Sequence, residues 1–481
     1  MRVPRYFTNL PEELLSLASQ IKAEVKIFDK LNLLAHEQEQ TSAIVELAQI
    51  SRDELRAVQE RRFAALLRRA WQVPFYARRW GAAGLQPGDI RGLEDIARLP
   101  VYSKADLMES IAAHPPLGDF HGLDSYAPGA RPQTILHTTS GTTGRPQVLL
   151  FGPRSREIQN LLLARLYLLQ GLRGDDVVHS VYGHGMVNGG HYMREAVLHW
   201  TRALFLSAGT GIETRSATQV ELMRDFRATV LIGFPDYLRK LAGVARSAGM
   251  EPGADIPVRL ILTHLGREDR AALSQEWGGA AVFDLYGVGD TGIVAGEGPE
   301  QNGLFVMEDA HYVEVLDSES GAPAAEGAPG DLVITSLFKD DVYPIVRFNT
   351  HDVSAWRGGA AGLALRRIAG FLGRSDNMVK LRGINVFPQA IGPLLEELPG
   401  YAGDYLCRCA RDGSGRDSMT VLAEFADRSD AQAGALRELL RRRLGVEVEV
   451  ELAPKGALAP QTGIETRQKP IRLLDLRGAQ P

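Results

Sequence analysis

The densest concentration of reactive side chains in the sequence is Thr138-Thr-Ser-Gly-Thr-Thr-Gly-Arg-Pro-Gln, directly after an apolar stretch, Thr134–His137, that reads as a strand. Gly141 and Gly144 free the backbone for turns closed to other residues. Hydroxyls of Thr139, Ser140, Thr142 and Thr143, with exposed N–H groups, can then surround a phosphate. The spacing is not that of the nucleotide P-loop, because Gly-x-x-x-x-Gly-Lys is absent. An ordinary Ser/Thr/Gly surface turn is the plainer alternative; the density of hydroxyls and glycines behind a strand favours phosphate. A second signal is scarcity. Only nine of the 54 basic residues are lysines, and three of them, Lys380, Lys455 and Lys469, follow residue 372. A lysine kept against that arginine bias carries more information than an arginine does. The two cysteines, Cys407 and Cys409, stand one residue apart, too near for an ordinary disulfide and too few for a zinc site.

The elements that must carry these groups alternate. Residues 1–70 read as helical, with a helix start at Leu10-Pro-Glu-Glu and a capping box at Ser51-Arg-Asp-Glu. From 134 to 350, short apolar runs alternate with helical stretches. Val177–Val181, Ala203–Leu206, Thr229–Gly233, Leu260–Thr263 and Ala281–Leu285 read as buried strands, and Gln159–Gln170, Ala217–Phe226 and Asp236–Ser247 as the helices between them. That alternation predicts α/β layers around a substantially parallel sheet. After the composition break at Trp356-Arg-Gly-Gly-Ala-Ala-Gly, a smaller α+β unit is expected. Tyr405–Ala410, Met419–Phe425 and Val446–Leu452 would be its strands and Asp430–Leu444 its helix. The expected division is a helical extension over 1–50, a large α/β domain over 51–372 and a small C-terminal domain over 373–481.

Composition narrows the partners. Hydrophobic residues make up 44% and charged residues 23%, an ordinary globular balance, and the net charge of −5 argues against nucleic acid or an anionic membrane as principal partner. No apolar stretch reaches the roughly 20 residues a bilayer requires. The N-terminus lacks the apolar core of a signal peptide, so a cytoplasmic protein is expected.

Six segments, taken in order, resemble the phenylacetate–CoA ligase family of the adenylate-forming superfamily. Ser140-Gly-Thr-Thr-Gly-Arg-Pro is similar to its phosphate loop, and Val181-Tyr-Gly-His-Gly-Met-Val-Asn-Gly-Gly to its acid-pocket segment. Phe283-Asp-Leu-Tyr-Gly-Val-Gly-Asp resembles its Tyr-Gly-x-x-Glu motif, and Tyr343-Pro-Ile-Val-Arg-Phe-Asn-Thr-His-Asp its ribose segment. Gly373-Arg-Ser-Asp through Phe387-Pro resembles its interdomain hinge, and Thr466-Arg-Gln-Lys-Pro stands where its catalytic lysine belongs. The resemblance spans roughly residues 50–478. It implies a large α/β domain with a small mobile α+β lid. It also implies an ATP-dependent ligase that forms an acyl-adenylate and pyrophosphate, then a thioester and AMP.

The residue roles follow from the resemblance. Thr139, Ser140, Gly141, Thr142, Thr143 and Gly144 would hold the ATP phosphates. Gly266, Glu268, Tyr286 and Gly287 would flank adenine and Asp284 would belong to the same ATP site, with Arg267 a bulky departure in the Gly266-Arg-Glu268 segment. Asp352 would accept from both ribose hydroxyls, a task suited to an ionised carboxylate. Arg347 and Arg374 would contact ribose or phosphate, surface ion pairs being the alternative for each. Asp290, in place of the usual Glu, would hold Mg²⁺, which prefers hard oxygen ligands; a loop Asp capping the next turn is the alternative. Tyr182, His184, Met186, Val187, Gly233 and Phe234 would surround a small-molecule carboxylic acid. His184 and Met186 depart from the more aromatic pattern of phenylacetate and favour a substituted or heteroaromatic acid. Asp376 would act as the hinge. The acceptor would be CoA, or else a carrier-protein pantetheine thiol or an amine, since the ATP motifs are shared by all three. A non-catalytic nucleotide-binding protein would be expected to lose the hydroxyl loop or Lys469, and both are present. A homodimer is implied by the resemblance alone.

Lys469 supplies a flexible point charge that can stabilise the acid carboxylate and the α-phosphate together during adenylation. Lys469→Ala should therefore slow acid-dependent pyrophosphate release by ~10²–10³. It should leave thioester formation from a supplied acyl-adenylate much less affected. Normal adenylation by the variant would move the role to Lys455.

Overall fold

The computed structural model of the protein describes residues 50–127, 129–139, 146–266, 268–358, 364–376, 379–381, 384–411, 416–464 and 470–477. The helical extension expected over 1–50 lies outside them apart from Ile50. Helix α1 (Arg52–Ala70) begins at the expected capping box: Ser51 Oγ accepts from the Glu54 N–H at 3.2 Å and Glu54 Oε2 from the Ser51 N–H at 3.1 Å. A hairpin of β1 (Ile135–Thr138) and β2 (Val148–Phe151) follows, and the hydroxyl-rich run is the turn between its strands.

Beyond the hairpin, α2 (Pro153–Leu169) leads into β3 (Val177–Ser180), and the chain then alternates through α3 (Asn188–Trp200), β4 (Leu204–Ser207), α4 (Ser216–Asp225) and β5 (Val230–Ile232). It continues through α5 (Pro235–Ser247), β6 (Leu260–Thr263), α6 (Arg270–Glu276) and β7 (Ala281–Val288). Strands β3 to β7 pair in parallel in the spatial order β4-β3-β5-β6-β7. With helices on their faces, these strands read as unbroken apolar runs; Val230, Leu231 and Ile232 are all fully buried. Helix α2 starts six residues before its expected position. Pro153 opens its first turn and Asp341, distant in sequence, accepts from the Ser155 N–H at 2.9 Å.

The expectation of a largely parallel sheet holds only as far as β7. From there β8 (Gly292–Glu297), β9 (Leu304–Val306), β10 (His311–Leu316), β11 (Pro329–Ser336) and β12 (Phe348–Arg357) extend the same 13-stranded sheet by antiparallel pairing. The reason is connection length. A parallel crossover needs a dozen or more residues, whereas β7 and β8 are separated by a tight turn. Strand β10 shows the matching alternation, His311 and Val313 buried between less buried neighbours.

The C-terminal unit is a four-stranded sheet in the order β15 (Glu449–Ala453), β14 (Asp417–Phe425), β13 (Tyr401–Arg411), β16 (Leu473–Asp475). Helix α7 (Asp430–Leu444) covers it, capped by Ser429 at its start and closed by Gly445 at φ +71°. Cys407 and Cys409 point from β13 into the core shared with Leu436 and Leu440 on α7. Both thiols are unpaired and fully buried, and burial pushes the Cys409 thiol up to about 11. Ellman's reagent should therefore modify neither cysteine in the native protein and both after denaturation; a fast native phase would show that this core opens.

Candidate active site

Open parallel sheets bind ligands outside the carboxyl ends of their strands, where the order of connection reverses. Here the chain runs from β3 to β4 on one side and then crosses to β5 on the other. The reversal places Val181–Val187, after β3, beside Gly233–Phe234, after β5, with the Val181 N–H donating to the Ile232 carbonyl at 2.9 Å. His264 and Gly266 follow β6, and Gly287 ends β7. All six expected pocket residues lie on these two segments, in two groups. The Tyr182 and Phe234 rings lie 4.9 Å apart, and the imidazole of His264 stacks on Phe234 at 5.8 Å and 24°. His264 was not anticipated from sequence, since it stands as a single residue after an apolar strand. Its Nδ1 donates to the Leu285 carbonyl at 2.9 Å, which fixes the ring against the end of β7. His184 turns toward the edge strand instead, with Nε2 at 2.8 Å from Ser207 Oγ on β4. Its ring is followed by His191 at 5.9 Å and then His137 of β1 at a further 4.9 Å. Met186 is exposed at the mouth (54%), and its carbonyl accepts from the Thr138 N–H at 2.8 Å while Val187 bridges to Thr138. The segment expected to line the acid pocket is thus hydrogen-bonded to β1.

Ser140, Gly141, Thr142, Thr143, Gly144 and Lys469 lie outside the described residues. The base of the turn is described: the Thr139 N–H donates to the Gln147 carbonyl at 3.0 Å and Thr139 Oγ1 accepts from the Gln147 N–H at 3.2 Å. Gln147 was not singled out from sequence, yet its Nε2 donates to Asp290 Oδ1 at 2.6 Å, placing that carboxylate at the base of the β1–β2 hairpin. Tyr343 OH donates to the same oxygen at 3.0 Å, and Lys339 Nζ to the Asp290 main-chain carbonyl at 2.8 Å. Burial raises the Asp290 carboxyl, opposed by these donors, and pulls the Lys339 ammonium down to about 8. Among the described residues no group of three or more His, Cys, Asp or Glu could hold a metal. A single buried carboxylate whose Oδ2 has no bonded donor among the described residues suits a cation that keeps waters and takes its other ligands from phosphates.

The residues expected to hold the nucleotide stand mainly on β7 and β12. Tyr286 OH donates to Asp352 Oδ2 at 2.8 Å and Arg374 Nη1 to Oδ1 at 2.8 Å. Arg374 also grips Asp376 through Nε at 2.8 Å and Nη2 at 2.6 Å, so the expected ribose carboxylate and the expected hinge residue share one guanidinium. Arg347 does not join them. It is buried (5%), paired with Glu314 at 2.8 Å and bonded to the Ala97 and Leu99 carbonyls, a structural role that replaces the ligand contact expected from sequence. Gly287 is required by closeness, because a Cβ there would collide with the Gly292 carbonyl across the β7–β8 hairpin. Asp284 holds the Leu265 N–H at 2.8 Å and so fixes the turn at Gly266 (φ +61°). Glu268 pairs with Arg239 of α5 at 3.1 Å, and the same guanidinium reaches Glu396 of the C-terminal unit at 2.9 Å.

Burial, with the Glu297 charge nearby, raises the Asp284 carboxyl to about 7. Because this folded value exceeds the roughly 3.9 of an unfolded Asp, the folded protein binds the extra proton between them, and stability falls as pH rises from about 4 through 7. Thermal unfolding followed from pH 5 to pH 8 should lose this component in Asp284→Asn, whose amide oxygen still accepts from Leu265. An unchanged pH slope would place the proton elsewhere.

Comparison with known proteins adds to this geometry. Residues 383–477 match the family described as AMP-binding enzyme C-terminal domain. The phenylacetate-coenzyme A ligase of Thermus thermophilus is 30% identical over 464 residues, covering 90% of this chain and 99% of that protein. The enzyme of the same name from Pseudomonas putida is 31% identical over 439 residues, covering 85% and 93%. Among solved structures, 2-hydroxyisobutyryl-CoA ligase in its postadenylation state, in complex with 2-HIB-AMP, superposes with a TM-score of 0.75 at 24% identity, covering 88% of this chain and 90% of that one.

Proposed function

The chain belongs to the phenylacetate–coenzyme A ligase family, and we propose that the acid it activates is an aryl or short acyl acid bearing a polar or heteroaromatic group. The reaction is ATP-dependent acid–CoA ligation of the AMP-forming kind. A carboxylate oxygen of the acid attacks the α-phosphorus of ATP and the bond to pyrophosphate breaks. The CoA thiol sulfur then attacks the acyl carbonyl, its proton passes to solvent, and the bond to AMP breaks.

In the proposed division of labour, the turn from Thr139 to Gly144 holds the phosphates and Lys469 stabilises charge in the first step. Gly266, Glu268, Tyr286 and Gly287 flank the adenine, and Asp284 belongs to the same ATP site. Asp352, oriented by Tyr286 and Arg374, takes the ribose hydroxyls. Mg²⁺, when bound at Asp290, would neutralise phosphate charge. For the lid to turn between the two steps, the Arg374–Asp376 pair and the Arg239–Glu396 pair must both rearrange, which supports a hinge at Asp376.

The observation that carries the substrate reading is the slot of Tyr182, Phe234 and His264 at the strand-order reversal. A wholly apolar aryl acid needs no imidazole in its wall, whereas a hydroxyl or ring N–H on the acid can hydrogen-bond with one. Pyrophosphate release should be screened over phenylacetate, hydroxylated and heteroaromatic analogues and short-chain acids, with and without CoA. The best polar acid should exceed phenylacetate in kcat/KM by about tenfold or more, with AMP turnover dependent on CoA. His184→Phe and His264→Phe should then narrow that preference with ATP binding near normal. An unchanged preference in both variants would return the pocket to unsubstituted acids.

A further inference from the structure

Lys339 is fully buried and makes no ion pair among the described residues. Its ammonium lies 4.1 Å from the centroid of Phe151 and 4.7 Å from that of Tyr343, and donates to the Asp290 carbonyl at 2.8 Å. Keeping a cation there is costly, because a buried charge without a bonded counter-ion loses several kcal/mol of hydration. A methionine or leucine would fill the volume without that cost. The position is also one of nine lysines in a chain rich in arginine, so the compact ammonium is what the site uses.

What Lys339 touches gives the reason. Phe151 ends the second strand of the hairpin that carries the hydroxyl turn, Asp290 lies in the turn between β7 and β8, and Tyr343 opens the segment that leads to Asp352. Tyr343 donates to Asp290 Oδ1, as does Gln147, so that oxygen is doubly held while Lys339 pins the main chain of the same residue. Two donors from two distant segments hold one carboxylate oxygen and a third holds the main chain of the same residue, and among the described residues no donor is bonded to Oδ2.

We propose that Lys339 is the positioning residue of the metal–phosphate site, its caged ammonium holding the Asp290 turn so that the carboxylate meets the cation bound to ATP. This rests on the reading of Asp290 as the metal-site carboxylate. A group that orients a metal ligand in this way typically contributes 10- to 100-fold to metal affinity.

ATP binding can be measured by calorimetry without any acid, so that no turnover occurs, once with Mg²⁺ and once in chelator. Lys339→Met and Tyr343→Phe should each weaken the Mg²⁺-dependent part by about 10- to 100-fold and leave metal-free ATP binding alone. Asp290→Asn serves as reference. If Asp290→Asn abolishes the Mg²⁺ enhancement while Lys339→Met and Tyr343→Phe keep it, the positioning role is overturned and the Asp290 reading stands. If Asp290→Asn keeps the enhancement, both fall. Equal losses with and without Mg²⁺ in Lys339→Met, together with a lowered melting temperature, would mean a merely structural lysine. Should that variant fail to fold, Tyr343→Phe decides.

Discussion

Strand β7 is hydrogen-bonded in parallel to β6 along one edge and antiparallel to β8 along the other, and the candidate nucleotide site is laid out from it. Its parallel edge aligns it with the ends of β3, β5 and β6, where the strand-order reversal opens a crevice. Its antiparallel edge turns back within a few residues and so fixes Asp290 beneath the hydroxyl hairpin. Along the strand itself, Asp284 holds the Gly266 turn and Tyr286 reaches Asp352. Moving this strand by one residue would exchange its two faces and separate all of these groups at once.

The site's charges are each managed by a neighbour from a distant part of the chain. Asp352 is shared between a phenol and a guanidinium, and the guanidinium in turn holds Asp376 at the junction with the C-terminal unit. Asp290 is shared among an amide, a phenol and an ammonium. Both carboxylates are almost wholly buried, at 5% and 4% exposure, where low polarisability makes such donors worth far more than in water. That is why a pair of short, rigid contacts suffices to orient each one. The contrast with Arg347 is instructive: its partner is the structural Glu314, and its bonds to the carbonyls of Ala97 and Leu99 tie the early helical segment to the antiparallel half of the sheet.

The aromatic slot shows the same economy of position. Tyr182, Phe234 and His264 come from the ends of three adjacent parallel strands, so their rings converge without any loop having to reach across. His184, two residues beyond Tyr182 in the irregular segment after β3, is bonded to Ser207 on the edge strand instead.

The sequence by itself determined which segments matter. Glycine and hydroxyl spacing marked the turn after Thr138, apolar runs marked β3 to β7 and their helices, and the order of motifs marked Asp290, Asp352 and the Gly373–Asp376 junction. These signals are local, because a turn, a buried strand or a capping box is encoded within a few neighbouring residues. Only the tertiary structure decided who meets whom. Gln147, Lys339 and Tyr343 converge on Asp290 from up to 143 residues away, Arg374 chooses Asp352 and Asp376, and His264 rather than His184 joins Phe234. Nothing in a residue's near neighbours fixes such pairings; they follow from strand order and register, and those are set by burial summed over the whole sheet.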